Sequence, residues 1–211
     1  MGYANDKGAR FERKLVKLFS DYWGIDFGRS VDSGAYRGTN KEYVGLGDLQ
    51  PPVNNDFPFI IEAKHHEDWS LDQVLFSKGK VKDFWKQVVS DSRGAVEIPK
   101  APLLAFTKKY ADDYIMIPYN EKVYDSISSQ GLQVARIAFS IDNTIKKENL
   151  TYDLLLTNFK GFSSVDKKLY IDIFFNKDWE SFSLIQDKDN KPNPIEEKED
   201  MDSLLDKLFE V

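Results

Sequence analysis

The sequence predicts an α/β fold, and three observations carry that prediction. Apolar residues recur at helical spacing from Phe11 to Tyr22 and again from Val74 to Val89. Apolar runs of strand length, at Ile25 to Arg29, Tyr43 to Leu49, Phe59 to His65 and Leu103 to Thr107, stand between and after those two stretches. Helical and extended segments therefore alternate rather than segregate, the pattern that places helices against a sheet. A chain of 211 residues, 41% hydrophobic and 14% aromatic, is long enough to bury a core of its own.

The first helix is capped by Asn5 or Asp6 and runs to about Asp21, with Phe11, Leu15, Leu18, Phe19 and Tyr22 as its buried stripe. Lys7, Arg10, Arg13, Lys14 and Lys17 cover the remaining surface as a basic face suited to phosphates. Glu12 lies at the margin of the apolar stripe, and the positions three and four away (Gly8, Ala9, Leu15, Val16) offer it no helical ion pair. It is either a solvated glutamate paired with some other cation or a functional carboxylate. The Gly/Ser-rich loop from Ser30 to Lys41, flanked by Arg29 and Arg37, is either a phosphate-wrapping loop or an ordinary surface connection.

Ser70 caps the next helical region, and Gly79 breaks it. Its lysines from Lys78 to Lys86 form a solvated face or a DNA-lining one, and Gln87 sits near its end. Leu103 to Thr107 and Tyr114 to Ile117 form a hairpin across the Asp112-Asp113 turn. Beyond Pro118, Tyr119 to Ser129 is expected as a helix, and Val134 to Ile141, Tyr152 to Asn158 and Leu169 to Phe175 as strands. The organisation expected is a core over residues 1–118, an α+β extension over 119–186 packed on it, and an acidic linker and tail over 187–211.

Composition removes several classes of chemistry. With no cysteine there is no disulfide scaffold, thiolate metal site or cysteine nucleophile. His65 and His66 are the only histidines, and with no thiolate to join them a zinc-type site is disfavoured. No apolar run approaches a membrane span and no export signal opens the chain, so a cytoplasmic protein is expected, in a bacterial, archaeal or virus-infected host cell. The net charge of −6 does not exclude DNA. Residues 195–211 hold seven acidic against two basic side chains, which leaves the rest of the chain at −1.

The stretch from Gly47 to His66 carries the chemistry. On a strand, Glu62 and Lys64 share one face while Ile61 and Ala63 point to the other. A turn through Pro51, Pro52, Asn54 and Asn55 returns the chain so that Asp48 can stand beside Glu62. Two carboxylates and a lysine on one sheet edge suit a hard divalent cation and a water molecule. Asp48 and Glu62 are oxygen ligands of the kind Mg²⁺ prefers, with the Ala63 carbonyl as a third and Glu12 completing the shell directly or through water. Lys64 is placed to orient the attacking water or to help remove its proton.

Asp48, a spacer of strand-turn length, then Glu62-Ala63-Lys64 resembles the signature of the PD-(D/E)XK nuclease superfamily. Lys7-Gly8-Ala9-Arg10-Phe11-Glu12-Arg13 is similar to the opening of archaeal-type Holliday junction resolvases, in which the glutamate belongs to the active site. Arg29-Ser30-Val31-Asp32-Ser33-Gly34 resembles their Arg/Ser loop, with Ser33 the better match to the serine near the scissile phosphate. The helix carrying Gln87, followed by Pro102 to Phe106, fits the order of elements, so the resemblance covers residues from about 7 to 117. Gly47 stands where the family has a proline.

The resemblance implies a restriction-endonuclease-like mixed central sheet flanked by helices. It also implies a Mg²⁺-dependent endonuclease, with Mn²⁺ able to substitute, acting on branched DNA as a homodimer, most closely as a Holliday junction resolvase. The catalytic residues expected are Glu12, Asp48, Glu62, Lys64 and Ser33, and the DNA contacts Lys7, Arg10, Arg13, Arg29, Arg37, Gln87 and Lys108. A restriction-like or recombination-associated nuclease and a non-cleaving DNA-binding module are the alternatives. Residues 195–211 are a solubilising, flexible end, an acidic mimic that competes with DNA, or a docking peptide: Leu205-Asp206-Lys207-Leu208-Phe209 loosely resembles peptides that dock into sliding clamps, which makes a clamp or other replication protein a candidate partner.

Overall fold

The computed structural model describes residues 2–30, 46–95, 97–143 and 148–185. Ser33, Arg37 and the whole of residues 187–211 lie outside the described residues. In chain order the elements are α1 (Gly2–Trp23), β1 (Gly28–Arg29), β2 (Leu49–Gln50), β3 (Phe59–His65), α2 (Leu71–Leu75), α3 (Lys80–Gly94), β4 (Ala101–Thr107) and β5 (Tyr114–Pro118). They continue with α4 (Glu121–Ser128), β6 (Val134–Asn143), β7 (Glu148–Asn158), α5 (Phe159–Ser163), α6 (Lys167–Phe174), α7 (Glu180–Ser183) and β8 (Leu184–Ile185).

All eight strands join one mixed sheet in the order β1-β2-β3-β4-β5-β7-β6, with β8 also on β7. The β3–β4 pair is parallel, with Lys64 opposite Phe106 and His65 opposite Thr107; the other pairs are antiparallel. The α3 crossover supplies the length that a parallel pair requires. Flanking helices complete an α/β fold of the restriction-endonuclease-like kind. Strands β6 and β7, from the region beyond Pro118, continue the same sheet through the β5–β7 pairing.

Local chemistry explains the helix boundaries. In α1, Phe11, Leu15, Phe19 and Trp23 are all buried at intervals of four, and Gly24 stops the helix at φ +78°, its amide donating to Ser20 O at 2.8 Å. Ser70 caps α2 in a capping box with Gln73, and Gly79, at φ +69°, separates it from α3. Asn120 caps α4. None of the described helices is long and apolar enough to cross a membrane.

Three expected strands differ. Leu169 to Phe175 lies mostly in helix α6, whose N-cap Asp166 accepts from the Lys168 amide and whose Tyr170 and Phe174 are buried one turn apart. The aromatic and branched run favours a strand locally, but packing of that pair on Phe59, at 5.6 and 5.1 Å between ring centroids, overrides it. The strand expected over 43–49 is ordered in the ladder only at Leu49–Gln50, because Gly47 takes a left-handed conformation at φ +80°; residues 43–45 lie outside the described residues. The strand expected over 25–29 is reduced to Gly28–Arg29.

Ring contacts fix which face of β3 looks where. Phe57 and Phe59 join Phe19, Trp23 and Phe162 on the α1 side, and Phe11 meets His65 at 6.2 Å. The alternate residues, including Glu62 and Lys64, therefore face α3, and His66 meets Phe84 of α3 at 5.8 Å.

Candidate active site

Asp48 is placed by backbone geometry. Its amide donates to Ile61 O at 2.8 Å, its own carbonyl accepts from the Ser30 amide at 2.8 Å, and its Oδ2 accepts from the Ala63 amide at 2.9 Å. The turn that delivers it needs glycine at 47. A Cβ there would stand 2.6 Å from Ile61 O, and the backbone is left-handed as well. The Ala63 amide points toward β2, and in an extended strand the carbonyl of the same residue points the same way. That oxygen thus projects beside the Asp48 carboxylate, beyond the start of β2.

Glu62 is 1% exposed and pairs with the Lys64 ammonium, which keeps partial access to solvent. Burial first, then the neighbouring Asp48 charge, pushes the Glu62 carboxyl up to about 8, with Lys64 opposing. The Asp48 carboxyl is also raised, mainly by burial, against the Ala63 amide and Lys64; Glu12 adds to the rise, and Asp48 is within hydrogen-bonding reach of Glu62. Loss of solvation is the main reason this pair ionises reluctantly, and a cation bound beside it would favour the ionised forms.

Glu12 lies near enough for its charge to act on Asp48, yet its carboxylate is held by Arg29 at 2.7 Å from Nε and 2.6 Å from Nη2. Arg29, expected at DNA, is thus engaged with Glu12, and the cation that Glu12 lacks on its own helix comes from the next element. Asp91 was not foreseen. It projects from α3, the helix that Glu62 and Lys64 face, and its carboxyl is raised by burial and by Asp48 and lowered by Lys64. The available signal was an acid three residues after buried Val88, at the margin of the apolar stripe, the same kind of position as Glu12 on α1.

Of the expected DNA contacts, Lys7 donates to Glu67 at 2.9 Å, Arg10 and Arg13 are exposed on α1, and Gln87 is exposed on α3. Lys108 donates to Trp69 O at 2.9 Å with its ammonium 4.9 Å from the centre of the indole. Lys82 and Lys86 reach Asp142 at 3.3 and 3.9 Å, tying α3 to β6. A cavity of about 480 Å³, bordered by Leu49, Gln50, Phe59, Ile60 and Lys100, includes none of Glu12, Asp48, Glu62 or Lys64 in its lining.

A family model described as "Phage putative PDDEXK endonuclease" matches residues 3–172. The chain belongs to that family. Neither a curated protein nor a solved structure matches it. PD-(D/E)XK nucleases generally use divalent metals, and the donor set here suits one: two carboxylates and a backbone carbonyl, all hard oxygen, the two carboxyls buried side by side. Among the described residues, no three His, Asp or Glu side chains close on one point. A PD-(D/E)XK ion held here would therefore keep part of its water shell, which is how Mg²⁺ is usually bound.

Proposed function

We propose that the chain is a Mg²⁺-dependent endodeoxyribonuclease that hydrolyses phosphodiester bonds in branched DNA, acting on four-way junctions as a homodimer. The gathering of Asp48, Glu62 and Lys64 at the end of a buried strand, on the fold of an endonuclease family, is the observation that carries it. Asp48 and Glu62, with the Ala63 carbonyl, would hold the divalent cation, and Mn²⁺ would substitute for Mg²⁺. When bound, that ion neutralises charge developing on the scissile phosphate. The Ala63 amide fixes the Asp48 carboxylate in its rotamer. Lys64 orients the attacking water from the same strand face. Glu12, steadied by Arg29, adds negative charge near Asp48 and would complete the cation's shell directly or through water.

The preference for branched DNA rests on the likeness of the sequence from Lys7 to Arg13 and from Arg29 to Gly34 to archaeal-type resolvases, in which Ser33 matches their loop serine. Arg10, Arg13, Arg37, Gln87 and Lys108 contact the backbone, and two copies cut opposite strands of a junction. Incubating the full chain with junction, flap, duplex and single-stranded DNA, with Mg²⁺ and with EDTA, tests this. Mg²⁺-dependent cuts in the junction at rates above the other three are expected. Equal cutting of all four would restrict the reading to a general nuclease, and binding without cutting would replace it with a DNA-binding module.

A further inference from the structure

The turn between β4 and β5 carries a feature that phosphodiester hydrolysis does not use. Tyr110 is 93% exposed, the most exposed of the large hydrophobic side chains described. It also sits at φ +63°, a left-handed backbone that glycine or asparagine adopts far more readily. A solvated aromatic ring on an unfavourable backbone buries almost nothing against the fold around it.

The turn that presents it is nonetheless well braced. Thr107 Oγ1 donates to Asp112 O at 3.0 Å and the Ala111 amide to Lys108 O at 3.1 Å. The Lys109 amide donates to Glu67 Oε2 at 3.1 Å, and the other oxygen of Glu67 takes Lys7 from α1. Lys14 pairs with Asp113 at 2.5 Å, and Asn158 donates to Asp112 Oδ2 at 3.1 Å. The turn's carboxylates are thus occupied. Lys109 reaches no carboxylate among the described residues, and its ammonium stands 4.6 Å from the Tyr110 ring centre. Lys108 lies beside it over Trp69.

The position relative to the site is set by the sheet. Lys64 lies opposite Phe106 in the parallel β3–β4 pair, and His66 donates to Thr107 O. Tyr110 follows Phe106 by four residues, so its Cα is within about 20 Å of that of Lys64, a span of a few nucleotides. Both lie at the carboxyl ends of the parallel strands, where open α/β sheets take their ligands.

We propose that Tyr110 is a base-stacking residue, its ring covering an unpaired or splayed nucleobase a few nucleotides from the scissile phosphate while Lys109 meets the adjoining backbone. A ring presented on a braced turn, beside a cation that no described carboxylate pairs, fits nucleic acid, since every base offers a π-face and every linkage a charge. This rests on the nuclease reading and adds to it the recognition of unpaired bases as the way a branch is distinguished from duplex.

The test uses the full chain in EDTA, with fluorescence anisotropy on a labelled four-way junction, a flap and a fully paired duplex of equal length. Tyr110→Ala is expected to weaken junction and flap binding about tenfold or more and to leave duplex binding within twofold, whereas Tyr110→Phe and Tyr110→Trp retain wild-type affinity. Tyr110→Gly separates stacking from folding: it should keep or raise the melting temperature, by relaxing the left-handed backbone, and yet bind junctions as weakly as Tyr110→Ala. If the wild type cuts DNA but Tyr110→Ala binds all three DNAs as it does, stacking is wrong and the nuclease reading stands. A loss in Tyr110→Phe equal to that in Tyr110→Ala would also overturn stacking, by assigning the effect to the hydroxyl. A wild type that neither binds nor cuts any DNA would overturn both.

Discussion

Glu62 sets the behaviour of the site at the scale of single residues. Its folded carboxyl is raised from 4.5 to about 8, so the native state holds the proton more tightly than the unfolded chain does. That contribution to stability is complete below the ordinary carboxylate range and is lost as pH rises through about 8. In EDTA, the melting temperature of the wild type should therefore fall relative to Glu62→Gln between about pH 5 and about pH 8. Mg²⁺ should restore several degrees to the wild type near pH 8 and little to the variant. Parallel melting curves across that range would contradict the account. Gly47 is the second such residue. Gly47→Ala forces a methyl against Ile61 O on a left-handed backbone, and should cost about 2–4 kcal/mol by denaturant titration. Its cost to cleavage should be larger still, because Asp48 is displaced.

At the residue scale the sequence was legible where spacing alone decides. Period two put Glu62 and Lys64 on one face, and the stripe of α1 put Glu12 at its margin. Arg29 and Asp91 were not legible. An ion pair across 17 residues, or an acid turned toward a strand from the next helix, depends on how elements pack and not on any local pattern.

At the element scale, the site depends on β3 being held between α1 and α3. The aromatic cluster on the α1 side, centred on Phe59 with Phe57, Phe162, Tyr170 and Phe174, anchors the first residue of the strand that carries Glu62. Phe59→Ala should cost about 3–5 kcal/mol, as expected for emptying a fully enclosed aromatic site. A cost below about 1 kcal/mol in chemical denaturation would mean that the cluster does not support the strand. The same cluster selects helix for α6 where local propensity favours a strand. Leu169 to Phe175 is rich in β-favouring residues, and only the tertiary contacts of Tyr170 and Phe174 with Phe59 select the helix. Elements with their own punctuation, such as Ser70 before α2, Gly79 before α3 and the turn between β4 and β5, were legible because capping and turn chemistry are local.

At the scale of the whole molecule, charge is unevenly distributed. Residues 195–211 carry a net −5 of the chain's −6, and DNA must approach the remainder, at −1. Deleting residues 195–211 should tighten DNA binding several-fold at low salt and by much less at physiological salt, as screening removes a long-range repulsion. Unchanged affinity at low salt would show that the tail does not act on DNA through charge. Retained capture of a sliding clamp by the shortened chain would likewise remove the docking role expected from the sequence of that segment.

The central claim is that Asp48, Glu62 and Lys64 form one hydrolytic site, and it is tested most directly by single-turnover cleavage of a junction alongside binding of the same DNA. Asp48→Asn and Glu62→Gln should each lower the Mg²⁺-dependent cleavage rate by at least about a thousandfold while junction affinity in EDTA stays within a few-fold of wild type. Normal cutting by either variant would contradict the assignment.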